Sequence, residues 1–135
     1  MIDIVNTSEL IEQIIRCPDV LIIQDLDGVC IPLVKDPLQR EIKSSYVKAV
    51  SILRNEFAVL TNGEHGGKRG VNRLVEKALG NKGIAAKKGL YLPGLAAGGI
   101  EYQDKFGKII FPGVSTKELE FLRKLPIKMK ILLSE

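Results

Sequence analysis

The chain has 135 residues, a length that fits one domain, and 45% of them are hydrophobic while 27% are charged. This balance is typical of a soluble globular protein. Lysine and arginine outnumber aspartate and glutamate by only 20 to 16, which favours a solvated surface first, a phosphorylated substrate second and nucleic acid last. Aromatic residues make up 5% and tryptophan is absent, which argues against a stacking platform for single-stranded nucleic acid.

The sequence gives no sign of export or of a membrane partner. No stretch reaches the roughly 18 apolar residues of a membrane span, and the acidic start at residues 1–3 does not resemble a signal peptide. Cys17 and Cys30 lie outside any Cys-x-x-Cys pair. We therefore expect a cytoplasmic protein with free thiols, in which Cys30 has a packing role.

The first half of the chain predicts two helices around one strand. A helix is predicted from Asn6, which can cap it with Glu9 three residues later, to Arg16. Residues 20–24 form an apolar strand that we expect to be buried on both faces, as in a parallel sheet. Residues 41–54 have the spacing of a second helix. Its expected inward side chains are Ile42, Tyr46, Ala49, Val50 and Leu53.

Two further strands and a helix follow. Residues 57–60 predict the second strand, residues 68–79 the third helix and residues 90–92 the third strand, before a turn of small residues at 93–99. Strands that alternate with helices are typical of a parallel sheet with right-handed crossovers. The sequence therefore predicts an α/β fold.

The last third predicts a hairpin and one helix. Residues 100–103 and 108–111 would pair across a turn at 104–107. Ser115 and Glu118 form a capping box that begins a helix running to about residue 125. The remaining residues are basic and apolar without a clear period.

Polar side chains stand at the ends of the first two strands. Asp25 and Asp27 end the first, followed by Gly28, and Thr61-Asn62-Gly63 ends the second. Side chains alternate along a strand, so the two carboxylates point the same way. Open α/β sheets bind ligands at the carboxyl ends of their strands, so Asp25, Asp27 and Thr61 are expected to converge there.

This combination suits phosphoryl transfer, although each pattern alone is more often a surface turn. Asp25 fits a nucleophile and Asp27 an acid and base. Hard carboxylate oxygens favour Mg²⁺, which makes Asp25 and Asp27 the candidate metal ligands. The hydroxyl of Thr61 and the turn at Asn62 and Gly63 can hold phosphate oxygens.

Three cationic or titratable residues lie near this turn. His65 is either a substrate or phosphate contact or an exposed loop residue, and it cannot form a zinc site alone. Lys68, with Arg69, either meets the anion from the start of a helix or lies in a solvated first turn.

Three strings of sequence resemble one known family. They are Gln-Asp-Leu-Asp-Gly-Val-Cys (24–30), Leu-Val-Lys-Asp-Pro-Leu (33–38) and Val-Leu-Thr-Asn-Gly-Glu-His-Gly-Gly-Lys-Arg-Gly-Val-Asn (59–72). The first and third resemble motifs one and two of the haloacid dehalogenase-like phosphohydrolase superfamily. The residues of all three strings are similar to those of the glucosylglycerol-3-phosphate phosphatase family, and the resemblance extends over roughly residues 18 to 115.

The resemblance implies a fold and an activity. The fold would be a truncated three-layer Rossmannoid core with a parallel sheet: three core strands, a hairpin and the start of a cap. The activity would be hydrolysis of glucosylglycerol 3-phosphate through an aspartyl-phosphate on Asp25, with Asp27 as acid and base. Mg²⁺ would bind the Asp25 carboxylate and the Asp27 carbonyl, and Thr61 would bind the transferring group. The expected partner is a small sugar phosphate.

One departure from the family pattern shapes the domain prediction. The superfamily has a later lysine and a later acidic pair, and no Gly-Asp-x-x-x-Asp-like string follows Thr61. We therefore expect residues 1–113 to be a partial core domain and residues 114–135 the start of a cap or a truncated tail. A strand that would flank residues 21–24 is then missing, and an apolar sheet edge there invites self-association.

Two alternatives remain open at this stage. A non-catalytic relative could keep the anion pocket and bind a ligand or partner. A basic module could bind acidic surfaces or nucleic acid. Two carboxylates repel phosphate unless a metal is present, so Asp25 and Asp27 argue against a pure anion binder. Binding of the basic module to a phosphate backbone would fall steeply with salt, so a salt titration separates that alternative.

Overall fold

The computed structural model describes residues 6–53 and 56–134. Two short 3₁₀ turns, Pro37–Gln39 and Ala97–Gly99, interrupt the loops. None of the described helices is long and apolar enough to cross a membrane. The regular elements in chain order are α1 (Thr7–Arg16), β1 (Ile22–Gln24), α2 (Ser44–Ile52), β2 (Phe57–Leu60), α3 (Val71–Leu79), α4 (Lys82–Lys88), β3 (Gly94–Ala96), β4 (Glu101–Gln103), β5 (Ile109–Ile110) and α5 (Thr116–Leu132).

The strands form one mixed sheet in the order β1-β2-β3-β4-β5. β1, β2 and β3 run parallel, whereas β4 and β5 continue the sheet as an antiparallel hairpin. The α/β prediction, with parallel strands followed by a hairpin, is confirmed, and the architecture is compatible with part of a Rossmann-like fold. Gln24 is paired with Val59, so the carboxyl ends of β1 and β2 lie side by side.

The hydrophobic core lies on one face of this sheet. Phe57 and Val59 point from β2 into a buried cluster with side chains of α2, α3 and α4. A fully buried Val, Leu or Phe contributes roughly 1.5–3 kcal/mol relative to an exposed one. The helical residues of this cluster are Val47, Val50, Val71, Leu74, Val75 and Ala85. This face therefore stabilises the strand ends that carry the candidate site.

The opposite face of the sheet is open. Leu60, Leu95, Tyr102 and Ile110 are paired in register across four strands, and each is more than a third exposed. Neither α1 nor α5 has a buried residue. The described residues thus form two layers, and they do not supply the third layer that the family resemblance implies.

The prediction that β1 is buried on both faces is wrong. Ile22 is 37% exposed and Ile23 is 61% exposed, because β1 is the edge strand of the described sheet and Ile23 points to its open face. The predicted exposed edge at this strand is confirmed.

The second helix is shorter than predicted. α2 begins at Ser44, because the preceding backbone at Lys43 is extended, and residue 54 lies outside the described residues. Ile42 is buried ahead of the helix, Ala49 is exposed, and Val47 takes the inward position instead. With the helix starting later, a three-residue spacing from Val47 to Val50 defines its buried face.

The third strand is Gly94–Ala96, and the prediction at residues 90–92 is wrong. Glycine begins this strand because β3 approaches β2 closely at Gly94. The helix α4 was not predicted; Asn81 begins it by accepting the N–H groups of Gly83 and Ile84.

The helices α3 and α5 have different bounds from those predicted. α3 begins at Val71 rather than residue 68, since the glycine-rich segment before it folds as a turn ending at Gly70. The capping box of Ser115 and Glu118 is confirmed. α5 continues through Pro126 to Leu132, beyond the predicted end, and the residues after the proline are mostly good helix formers.

Candidate active site

The end of β1 turns sharply after the two aspartates. Asp25 is exposed, and its Oδ1 accepts the N–H of Leu26 at 2.8 Å, while Leu26 is fully buried. Gly28 has a positive φ of 83° and donates its N–H to the carbonyl of Ile31 at 2.7 Å. Only glycine adopts this conformation without strain, so the turn depends on Gly28.

The end of β2 carries a rigid polar turn. Thr61 is 4% exposed, its N–H donates to the Leu95 carbonyl at 3.0 Å, and its Oγ1 accepts the N–H of Gly63 at 3.2 Å. The Gly63 carbonyl in turn accepts the N–H of Ala97 at 2.6 Å. Because Oγ1 accepts at Gly63, the Thr61 hydroxyl hydrogen can be donated to another group.

A cavity of about 590 Å³ opens where the two strand ends meet. Asp27, Asn62 and Gly63, three of the predicted site residues, line it. Asp25, Thr61, His65 and Lys68 are not among its described lining residues. The other lining residues are Leu33, Val34, Pro37, Arg40, Glu64, Arg69 and Ala97. The cavity therefore combines carboxylates and guanidinium groups with an apolar wall.

Arg40 is the residue that joins the two strand ends. Its Nη1 donates to Oδ2 of Asp27 at 2.9 Å. The same Nη1 lies 3.6 Å from the point where a Cβ on Gly63 would stand, and Oγ1 of Thr61 lies 3.6 Å from that point. Arg40 thus contacts Asp27 at the first strand end and lies near Gly63 at the second.

His65 lies beneath this turn rather than in the cavity. It is fully buried, and its Nε2 lies 3.0 Å from the Gly94 carbonyl, so Nε2 is the protonated nitrogen. Nδ1 has no hydrogen-bond partner among the described residues. Burial lowers the pKa of His65 below its ordinary 6.5, while the Gly94 bond and nearby Glu101 act in the opposite direction. The alternative of an exposed loop residue is wrong.

Lys68 and Arg69 lie in an exposed turn before α3. Arg69 lines the cavity, and Lys68 does not. Neither residue occupies a helix, since α3 begins at Val71. Lys68 therefore lies in a solvated turn, which is the second of the two alternatives predicted for it. Arg69 lines the cavity, where its side chain can meet an anion.

Sequence reasoning missed Arg40, Glu64 and Ala97. Arg40 follows the turn Pro37–Gln39, where a single arginine gives no recognisable pattern. Ala97 has a left-handed φ of 50°, uncommon for a residue with a Cβ, and only the structure reveals it. The clustering of Arg40 with Asp27 could have been found only by knowing how this loop folds back.

Cys30 and Tyr46 pack behind the aspartate turn. The Cys30 thiol donates to the Leu26 carbonyl at 3.7 Å, and Tyr46 OH donates to Oε1 of Gln24 at 2.8 Å. Burial raises the pKa of the Cys30 thiol above its ordinary value. The expected packing role of Cys30 agrees with a thiol held in its neutral form.

The residues at the strand end fit part of a Mg²⁺ shell. Oδ2 of Asp25 has no hydrogen-bond partner among the described residues, so it is available to a hard cation. Residues 6–53 and 56–134 contain no group of three or more His, Cys, Asp or Glu side chains that could hold a metal. Mg²⁺ in proteins commonly uses one or two carboxylates, with water and substrate phosphate as the remaining ligands.

Comparisons with known proteins point to one family. Residues 19–135 match the family model described as glucosylglycerol-phosphate phosphatase. A curated protein of that name from Synechocystis sp. (strain ATCC 27184 / PCC 6803 / Kazusa) is 53% identical over 111 residues, which are 82% of this chain and 26% of the relative. No solved structure matches the chain. The chain belongs to the glucosylglycerol-phosphate phosphatase family.

Proposed function

We propose that the chain forms the nucleophile- and phosphate-binding part of a Mg²⁺-dependent phosphatase of the haloacid dehalogenase-like superfamily. The substrate would be glucosylglycerol 3-phosphate, and the product the osmoprotectant glucosylglycerol, made in the cytoplasm during salt stress. The observation that carries the proposal is the 53% identity to a relative named for this activity. The chain spans about a quarter of that relative's length, so the activity of the whole protein is part of the proposal.

The proposed reaction has two steps that share one acid. A carboxylate oxygen of Asp25 attacks phosphorus, the bond from phosphorus to the sugar-alcohol oxygen breaks, and Asp27 gives that oxygen its proton. The oxygen of a water molecule then attacks phosphorus while Asp27 accepts a proton from the water, the bond from phosphorus to the Asp25 oxygen breaks, and inorganic phosphate leaves with the Asp25 carboxylate restored. Asp25 is supported as nucleophile by its exposure and by a carboxylate oxygen without a described partner.

The remaining groups would hold the phosphoryl oxygens. The Thr61 hydroxyl can donate a hydrogen bond because its oxygen already accepts the N–H of Gly63. Asn62 and Arg69 line the cavity, and Arg69 adds positive charge for the anion. Mg²⁺, when bound beside Asp25, supplies charge neutralisation for the phosphate oxygens.

A second candidate is a protein that binds an anion or a partner without catalysis. The observation in its favour is that Arg40 and Arg69 line the cavity between the strand ends and give it positive charge for an anion. Against it, Asp25 and Asp27 stand at the strand end where an anion would bind, and two carboxylates oppose an anion unless a cation is present.

The test is hydrolysis of glucosylglycerol 3-phosphate in the presence of Mg²⁺, measured as phosphate release. It compares the 135-residue chain with a chimera that completes it with the rest of the Synechocystis relative. We expect turnover in the chimera, and loss of turnover after Asp25→Asn or after chelation of Mg²⁺. Asp19→Asn is the matched control, because it makes the same change at an exposed residue six positions earlier.

Each result decides between the two candidates. Wild-type turnover in the Asp25→Asn chimera would show that the nucleophile is wrongly assigned. A folded chimera that binds inorganic phosphate but hydrolyses nothing would favour the non-catalytic candidate.

A further inference from the structure

Arg40 is a charged side chain buried at the wall of the cavity. The residue is only 7% exposed. Arginine is almost never buried to this extent unless its charge is paired. The proposed reaction does not require this residue, and its burial therefore needs another explanation.

The guanidinium group is held by three separate segments. Nε donates to the Pro37 carbonyl at 3.3 Å, Nη1 donates to Oδ2 of Asp27 at 2.9 Å, and Nη2 donates to the Arg69 carbonyl. The guanidinium is planar and presents its donors in a rigid fork. Contacts at three of its nitrogens fix the plane of the group, and so they fix the direction of the N–H that meets Asp27.

Asp27, in contrast, is held weakly by its own surroundings. Its side chain is 34% exposed, and Arg40 is the hydrogen-bond partner of its carboxylate among the described residues. We propose that Arg40 is a positioning residue, which holds the Asp27 carboxylate towards the cavity and aligns it with the turn of Thr61 and Gly63. The benefit to catalysis rests on the proposed function, whereas the restraint on Asp27 does not.

Lysine cannot replace Arg40 in this role. A lysine ammonium keeps the charge, but it is a single point donor on a flexible stem and cannot satisfy Asp27, Pro37 and Arg69 with one fixed plane. Arg69 lines the same cavity with an exposed side chain and is the more accessible cation for a substrate. Position 40 therefore requires the shape of arginine as well as its charge.

Arg73 offers a matched control within the same network. Its Nη2 donates to the same Pro37 carbonyl at 3.2 Å, and it makes no hydrogen bond to Asp27. Arg73→Ala thus disturbs the turn at Pro37 and removes one positive charge, as Arg40→Ala does, without removing the partner of Asp27.

The first experiment measures the restraint directly in the 135-residue chain. Three-bond NMR couplings between Hα and Hβ of Asp27 report its χ1 rotamer. We expect couplings of one rotamer in the wild type and in Arg73→Ala, and averaged couplings in Arg40→Ala. If Arg40→Ala does not fold, Arg40→Lys takes its place with the same expectation. Unchanged couplings in a folded Arg40 variant overturn the proposal.

The second experiment tests the consequence for chemistry in the chimera. A sugar-alcohol leaving group needs the Asp27 proton, whereas p-nitrophenolate departs without one. We expect Arg40→Lys to slow single-turnover release of the sugar alcohol by roughly 10- to 100-fold and release of p-nitrophenol by less than about 3-fold. KM should not change, and Arg73→Lys should leave both rates near wild type.

The outcomes separate this proposal from the proposed function. Equal slowing for both substrates would make Arg40 structural, and a rise in KM alone would make it a substrate ligand; either result overturns the positioning role. If the wild-type chimera hydrolyses neither substrate, the proposed function fails, and the Asp27 couplings still decide whether Arg40 positions that carboxylate.

Discussion

Gly94 lies so close to Val59 that no side chain fits between β3 and β2. A Cβ on Gly94 would stand 2.1 Å from the Val59 carbonyl oxygen and 2.5 Å from its nitrogen. The carbonyl of Gly94 is also the hydrogen-bond partner of His65. This contact between two backbones therefore holds both the parallel pairing of the strands and the turn that carries Thr61.

Gly94→Ala should accordingly prevent stable folding. The colliding atoms belong to backbone and cannot rotate away, and φ at Gly94 is 136°. We expect a loss of more than about 3 kcal/mol, beyond the ordinary cost of overpacking. Circular dichroism during urea denaturation should show no cooperative transition.

The control for this substitution is Gly98→Ala. Gly98 also has a positive φ, 65°, but nothing lies within 4 Å of an added Cβ. Its cost should be about 1–2 kcal/mol, the strain of left-handed backbone alone. Equal stability losses for the two variants would contradict the close-contact explanation.

His65 predicts a specific dependence of stability on pH. Burial lowers the pKa of His65 in the folded chain below 6.5, so below that pH the unfolded chain binds more protons. The stabilisation is complete above pH 6.5 and is lost as the pH falls towards the folded pKa. Between pH 7.5 and 5.5 the free energy of unfolding of the wild type should therefore fall as the pH is lowered.

The measurement compares wild type with His65→Gln in urea denaturation at both pH values. Glutamine can still donate to the Gly94 carbonyl, and it does not titrate. The variant should lose most of the pH dependence in this range, where the exposed carboxylates remain ionised. If the free energy of unfolding of the variant depends on pH as steeply as that of the wild type, His65 is not the source of this dependence.

Ala97 carries backbone strain at the rim of the cavity. Its φ of 50° costs a residue with a Cβ about 1–2 kcal/mol, which exceeds the roughly 0.4–1 kcal/mol by which glycine favours the unfolded chain. Ala97→Gly should therefore stabilise the protein by about 0.5–1 kcal/mol. Ala96→Gly is the control. The backbone of Ala96 is extended and its side chain is fully buried, so removal of its methyl group should destabilise the protein. A destabilised Ala97→Gly would contradict the strain.

The parts of the fold predicted well from sequence are those with a strong local pattern. The four apolar residues of β2 and the capping box at Ser115 have the predicted bounds. The wrong predictions lie where contacts between residues far apart in the sequence determine the structure. The segment at residues 93–99 is rich in glycine and alanine and therefore predicts a turn, yet the close approach of β2 requires glycine at position 94 of a strand.

The candidate site divides in the same way. Asp27, Asn62 and Gly63 were found because they follow strands, and strand ends of a parallel sheet meet. Arg40 was missed because it reaches Asp27 from a loop whose path no local pattern specifies. The burial of β1 was predicted wrongly because apolar composition does not reveal whether both faces of a strand are covered, and Ile23 points to the open face of the sheet.

The exposed edge strand β1 predicts self-association of the 135-residue chain. The accessible surface of the chain is 10206 Å², whereas a compact monomer of 14.9 kDa exposes about 7,000 Å². Ile23 stands on the edge strand and points to the open face that also carries Leu60 and Leu95. Backbone groups on an apolar edge pair readily with another strand. We expect dimers or larger species in sedimentation velocity at micromolar concentration.

Ile23→Lys should shift the chain towards monomer, because a charged side chain in the middle of an edge strand opposes pairing. Ile52→Lys is the matched control, since Ile52 is 76% exposed at the end of α2, away from the sheet edge. If both substitutions reduce association equally, general hydrophobicity rather than the edge is responsible. A wild type that sediments as a monomer at these concentrations would contradict the prediction that the exposed edge drives association.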